Sequence, residues 1–205
     1  MSAGVIGVVL AAGLSRRMGE PKQLLKVAGQ LLVRYAARAM LDAEPAGGVL
    51  VVTPPGELGG RVRTALDRLP LTFTECLHPE LGLSYSFRAA IAALPPGTPA
   101  ASFALGDMPL VTAAMHRAVL DAWAVSGAPL VLARFGEVRA PPHLFRADLF
   151  GRFREGGDHG PRDLIREYAA WTVWVGLPPA ALQDLDTPGD LPRVEAALLA
   201  RAAGP

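Results

Sequence analysis

Short, fully apolar runs of strand length alternate along this chain with segments of helical period, and that rhythm limits the fold more than any other feature. Val5–Ala11 precedes Leu31–Leu41, where Leu32, Tyr35, Ala36, Ala39 and Met40 keep a helical spacing. Val49–Thr53 is a second buried run, ended by Pro54, Pro55 and Gly56, and Leu58–Leu69 follows as a helix turning Arg61, Arg63 and Arg68 outward. Leu71–Cys76 reads as a third strand and Ser84–Leu94 as a helix stopped by Pro95-Pro96-Gly97. Ser102–Leu105 is a fourth strand, Thr112 caps a helix to about Val125, and Pro129–Ala133 is a fifth strand. Strands alternating with helices predict an α/β chain with a doubly wound, mostly parallel sheet and helices on both faces.

The rhythm changes after Arg134. Two prolines in Arg139-Ala-Pro-Pro-His143 argue against a central strand. Asp148–Phe153 and Pro161–Tyr168 read as short helices around a polar loop, and Trp171–Val175 as a late strand. Asp186-Thr187-Pro188 opens a last helix, with Thr187 as its cap and Pro188 at its first position. The alanine-rich tail Ala196–Ala203 reads as its frayed end. We divide a single domain, residues 1–205, into a first half (1–134) and a second half (135–205) on the same sheet.

Composition narrows the function classes. The formal charge is +1, so no global basic field exists for nucleic acid, and a cationic site must be local. One cysteine, Cys76, excludes an intrachain disulfide and reads as a small apolar filler. The first apolar run is about ten residues long with no basic region before it, too short for a bilayer span and a poor signal peptide. A cytoplasmic enzyme without membrane or nucleic-acid partners is the expectation.

Residues 8–22 carry the chemistry. The first strand breaks into a loop holding Gly13, Leu14, Ser15, Arg16, Arg17, Gly19 and Lys22. Glycines let backbone N–H groups approach a phosphate, and the cations Arg16, Arg17 and Lys22 can neutralise a polyphosphate. The loop follows the carboxyl end of a strand, where open α/β sheets bind ligands. It is not a Walker loop, since no Gly-Lys-Ser/Thr follows, and G-x-G-x-x-G is absent after the first strand. A second anchor is Leu105-Gly106-Asp107-Met108-Pro109, a carboxylate at another strand end on a proline-stiffened turn. Asp107 suits Mg²⁺, which takes one or two carboxylates plus phosphate oxygens; the competing reading is a turn aspartate bonding its own backbone.

The loop resembles the nucleotide-binding motif of the MobA-like nucleotidyltransferases, L-A-x-G-x-S-x-R-M-G-x-x-K, at Leu10, Ala11, Gly13, Ser15, Arg17, Met18, Gly19 and Lys22. Gly106-Asp107 with Pro109 resembles the family's metal motif. Leu81–Arg88 is similar to its G-x-x-x-S-x-R segment through Ser86 and Arg88, with Ala90 where glycine is common. Asp184-Leu-Asp186-Thr-Pro-Gly-Asp190 resembles its D-I-D-T-P-E-D close, with Gly189 for glutamate. Gly156-Gly-Asp158-His159-Gly-Pro161-Arg162 resembles the G-D-x-G-A-R motif of the molybdopterin branch, with Pro161 for alanine. The family's G-H-P-V-L-F is altered to Ala140-Pro-Pro-His143-Leu-Phe145, the histidine displaced by two places.

The resemblance implies a Rossmann-like nucleotidyltransferase fold and a Mg²⁺-dependent transfer of a nucleotidyl group to a phosphorylated acceptor. Arg17, Lys22 and Asp107 would be catalytic. Leu10, Ala11, Ala12, Gly13, Leu14, Ser15, Arg16, Lys22, Ser86, Arg88 and Gly106 would hold the nucleoside triphosphate. Asp107, with Asp186 as a second candidate, would bind metal, and His143, Asp158, His159 and Arg162 would face the acceptor. The implied acceptor is molybdopterin, with a molybdoenzyme as the downstream partner. Ala12 stands where the guanylyl branch carries glycine, and its methyl is expected to favour CTP over GTP by narrowing the space for a purine. GTP, a different small phosphorylated acceptor, and a non-catalytic molybdenum cofactor carrier are the alternatives.

Overall fold

In the computed structural model, which describes residues 4–15, 18–153, 161–183, 185 and 187–203, the expected α/β architecture is present. In chain order the strands and helices are β1 (Ile6–Leu10), β2 (Lys26–Val27), β3 (Gln30–Leu31), α1 (Leu32–Asp42), β4 (Val49–Thr53), α2 (Gly56–Ala65), β5 (Leu71–Glu75), α3 (Leu83–Ala92) and β6 (Ala100–Leu105). Then come α4 (Ala113–Ser126), β7 (Leu130–Phe135), β8 (Val138–Arg146), α5 (Arg162–Glu167), β9 (Thr172–Leu177) and α6 (Leu191–Ala203). Seven strands form one sheet in the order β5-β4-β1-β6-β8-β7-β9, and β2 pairs with β3 in a small hairpin.

β1 and β4 are fully buried along their lengths. Their side chains still divide between two faces at the strand period of two. Val8, Leu10 and Val52 join the layer beneath α3 with Phe87, Phe103 and Phe145. Val9 and Val51 join the opposite layer beneath α1 and α2 with Val33, Met40 and Val62. α4 and α6 extend that second face through Val119, Val194 and Leu198. Gly7 is needed for close approach: a Cβ there would stand 2.6 Å from the Met40 side chain. Thr112 caps α4 through its side-chain oxygen, which accepts from the Met115 N–H at 3.4 Å.

Two expectations fail. β8 is a central strand despite its prolines, antiparallel to both β6 and β7. Pairing with β6 stops at Phe103 opposite His143, and the β7 register shifts between Leu132 and Arg134. Pro141 and Pro142 therefore occupy an irregularity where no ladder N–H is required. The alanine-rich tail is regular helix, not a frayed end, because Val194 and Leu198 anchor α6 in the core. A 3₁₀ turn, Pro188–Asp190, precedes it, and the Asp190 carboxylate accepts the Thr187 N–H at 2.8 Å. Among the described residues no helix is long and apolar enough to cross a membrane.

The strand order places a crevice for a ligand. From β1 the chain moves outward to β4 and β5, then returns to place β6 on the other side of β1. Loops leaving adjacent parallel strands in opposite directions open a crevice at their carboxyl ends. Here those loops begin at Leu10 and Leu105.

Candidate active site

The two loops are pinned to each other and to the sheet. Ala11 N–H donates to the Val52 carbonyl and Gly106 N–H to the Leu10 carbonyl, both at 2.9 Å. A Cβ on Gly106 would press on that Leu10 oxygen at 3.2 Å and on the Ala11 methyl at 3.3 Å, so glycine keeps the loops in register. Beyond Gly13 the chain passes through Ser15 at φ 54°, a left-handed conformation unusual for serine. Side-chain bonds hold it there. Ser15 Oγ accepts the Lys22 N–H at 2.9 Å and donates to Gln23 Oε1 at 3.3 Å.

Gln23 is a residue that motif reading missed. It is 3% exposed. Its Nε2 donates to the Ala11 carbonyl at 3.0 Å and also to the Gly13 carbonyl. One amide thus ties both ends of the loop's first turn. Its proximity to Lys22 in sequence was the available signal, but an amide one residue after a cation announces no such role.

Lys22 and Asp107, 85 residues apart, meet in this crevice: Nζ lies 2.5 Å from Oδ2. Their side chains are 13% and 20% exposed. The other carboxylate oxygen, Asp107 Oδ1, is enclosed without a hydrogen-bond partner. An enclosed carboxylate oxygen with unused lone pairs fits a hard divalent cation. Among the described residues no group of three or more His, Cys, Asp or Glu could hold a metal alone. Such a cation would therefore complete its shell with phosphate oxygens and water, as Mg²⁺ does.

The crevice opens into a cavity of about 370 Å³, within the range of small-molecule sites. Leu10, Ala11, Ala12, Gly13, Leu14, Ser15, Lys22, Ser86, Gly106 and Asp107 line it together, joined by Gln23, Glu80 and Leu83. Ala12 is 1% exposed, belongs to the core layer beneath α3 and forms part of the cavity wall. Arg88 does not line this cavity; its guanidinium lies over the Tyr85 ring, 5.9 Å from the centroid.

A second cavity of about 420 Å³ adjoins the first through Leu83 and Leu105, which line both. His143 and Arg162 share its lining with Arg139 and Arg166. His143 is 6% exposed, and burial lowers its pKa to about 4, so the ring is neutral at ordinary pH. Arg16, Arg17, Asp158, His159 and Asp186 lie outside the described residues. Leu185, between Asp184 and Asp186 in sequence, donates its N–H to the Asp107 carbonyl at 3.3 Å.

Comparison with known proteins accords with this geometry. The family model described as "MobA-like NTP transferase domain" matches residues 7–171. The bifunctional protein GlmU of Sphingopyxis alaskensis is 31% identical over 134 residues, 64% of this chain and 29% of that protein. The 2-C-methyl-D-erythritol 4-phosphate cytidylyltransferase of Thermotoga neapolitana is 30% identical over 93 residues, 36% of this chain and 42% of that protein. The chain therefore spans less than half the length of these curated relatives. Among solved structures, the Rv0371c homologue from Mycobacterium sp. strain JC1 superposes with a TM-score of 0.79 at 27% identity, covering 98% of this chain and 100% of that one.

Proposed function

The chain belongs to the MobA-like NTP transferase family, and on that premise we propose that it transfers CMP from CTP to the terminal phosphate of a molybdopterin-type acceptor. The observation that carries this reading is the convergence of Lys22 and Asp107 at the mouth of the first cavity. A cation and a carboxylate at the strand-order reversal provide the opposed charges that phosphoryl chemistry requires.

In the proposed reaction an oxygen of the acceptor phosphate forms a bond to the α-phosphorus of CTP. The bond from that phosphorus to the β-bridging oxygen breaks, and pyrophosphate leaves with the electron pair. Little covalent work falls to the protein, which must align the two phosphates and neutralise charge. Backbone N–H groups around Gly13 to Arg16 would cradle the β- and γ-phosphates, and the Gln23 amide holds the Ala11 and Gly13 carbonyls at the start of that loop. Arg17 and Lys22 balance the charge growing on pyrophosphate. Asp107, and Asp186 as a second ligand, would hold Mg²⁺, which when bound polarises the α-phosphate. Ser86 contributes to the wall of the nucleotide cavity, and Arg88 steadies α3 from its place over Tyr85. Residues 1–134 form the nucleotide half and residues 135–205 the acceptor side, where Arg162, Asp158, His159 and His143 meet the acceptor.

The choice of CTP follows from the alanine at position 12, which fills the wall where a glycine would leave room, and from the likeness to a protein named as a cytidylyltransferase. The place of reaction is the cytoplasm, with a molybdoenzyme receiving the product. A thermal-shift screen with CTP, GTP, ATP and UTP, each with Mg²⁺, tests the nucleotide assignment. A ligand at 100 times its Kd adds about 2.7 kcal/mol, so CTP should raise the unfolding temperature most. A larger shift with GTP would replace the cytidylyl reading with a guanylyl one.

A further inference from the structure

The second cavity holds a histidine whose protonation pattern is set by the fold. His143 sits in the middle of the sheet, opposite Phe103 on β6 and Leu132 on β7. Its Nδ1 lies 3.0 Å from the Pro142 carbonyl oxygen. A carbonyl oxygen can only accept, so Nδ1 carries the proton. Burial keeps the imidazole neutral, which leaves Nε2 with a lone pair and no proton. Both ring nitrogens of His116 are enclosed without partners, but Nε2 of His143 is not among such sealed atoms. His143 also lines the cavity, and with Nδ1 engaged by the Pro142 carbonyl, Nε2 is the ring nitrogen left to meet a ligand there.

The rest of the lining gives that lone pair its meaning. The other polar side chains there are Arg139, Arg162 and Arg166, which donate hydrogen bonds and accept none. Leu83, Phe87, Leu105 and Pro141 are among the apolar walls. His143 Nε2 is thus the side-chain acceptor in a cavity whose other described polar side chains are donors.

We infer that His143 selects the acceptor substrate: the second cavity takes an anionic molecule with an apolar body that presents an N–H or O–H donor to Nε2 of His143. Arg139 and Arg162 meet its anionic groups, Arg166 being paired with the Asp163 carboxylate at 2.8 Å, and the apolar walls enclose its body. A molecule of the same shape without that donor covers the buried nitrogen and leaves it unpaired. This inference rests on the nucleotidyl-transfer reading in taking the second cavity as the acceptor site.

The test has two arms. NMR of the ring nitrogens in the isotopically labelled, ligand-free protein should show the neutral Nδ1–H form of His143 at pH 7. An Nε2–H form or a protonated ring overturns the inference whatever the substrate. In the second arm, pyrophosphate release is followed with CTP, Mg²⁺ and molybdopterin as the probe. His143→Phe keeps an aromatic ring but removes the lone pair, and His143→Gln keeps an acceptor oxygen. Loss of one hydrogen bond to a buried group should raise the acceptor KM of His143→Phe roughly tenfold to a hundredfold. The KM for CTP should stay near its wild-type value, and His143→Gln should recover most of the acceptor affinity. Equal rises in both variants, or none in His143→Phe, would reduce His143 to a packing role and overturn the inference. A wild-type protein that binds CTP but is inert with molybdopterin would sink the proposed function; the first arm, made on protein alone, would still decide the state of His143.

Discussion

Replacing Lys22 with alanine should separate catalysis from binding and from stability. The variant loses one partner of a 2.5 Å ion pair whose side chains are 13% and 20% exposed. Such a pair lies between the surface case, worth about 0–1 kcal/mol, and the buried case, where removing one partner costs about 3–5 kcal/mol. A loss of about 1–3 kcal/mol is expected for a hydrogen bond to a charged group. In a chain of this size that lowers Tm by roughly 2–4 °C per kcal/mol, so the variant should remain folded at 25 °C. The effect on rate should be larger. A preorganised charge at a developing anion is typically worth about 10²–10³ in kcat, whereas CTP keeps its remaining contacts with the loop and its KM should change far less. Steady-state pyrophosphate release with CTP, Mg²⁺ and molybdopterin, run beside a thermal melt, reads all three quantities. A kcat within about threefold of wild type, against the hundredfold or more expected, would place Lys22 away from the reacting phosphates and refute its role.

Asp107→Asn keeps the shape of the turn and loses the charge, so Mg²⁺ should bind more weakly and excess metal should restore part of the rate; a crystal with CTP and Mg²⁺ in which the metal lies beyond one water shell from Asp107 would contradict this. Gln23→Leu removes the amide that spans the Ala11 and Gly13 carbonyls. It should raise the KM for CTP and increase hydrogen exchange across residues 11–15, and unaltered exchange there would show that the clamp is dispensable. Arg162→Ala should raise the acceptor KM and leave CTP affinity in place, while equal losses for both substrates would indicate a folding defect. Stability should fall in acid: His116 and His143 have folded pKa values lowered by burial to about 4 from 6.5. Both are neutral in either state above pH 6.5, and between there and pH 4 only the unfolded chain gains the protons, costing about 3 kcal/mol per histidine. Urea unfolding at pH 7 and pH 5 measures this, His116→Leu should remove about half of it because His143 keeps its share, and a pH-independent midpoint would contradict the assignment.

The parts of the fold visible in sequence are those where a local pattern and its burial agree. β4 spans the apolar run Val49–Thr53, and Thr112 caps α4 where the side chain and the following helical period coincide. What escaped reading depends on partners far along the chain. The prolines of β8 oppose a central strand locally, and only the registers of β6 and β7 reveal that they fall in a gap in the ladder. The tail looks frayed as a string of alanines, yet Val194 and Leu198 recur one helical turn apart and meet a core built by other elements. The candidate site divides the same way. Lys22 stood out as a cation in the loop after the first strand and Asp107 as a carboxylate at a strand end, but nothing local announced that Gln23 would bind two carbonyls. For His143, the proton's place depends on a carbonyl bond that no spacing encodes.

The central claim is transfer of a nucleotidyl group between the two adjoining cavities. It is tested most directly by incubating the protein with CTP, Mg²⁺ and molybdopterin, then measuring pyrophosphate and the mass of the organic product together. The account predicts pyrophosphate in equal amount to a cytosine dinucleotide of the acceptor, and neither product when molybdopterin or Mg²⁺ is left out. CTP bound by the folded protein with no pyrophosphate formed, or pyrophosphate released at the same rate without any acceptor, would contradict it.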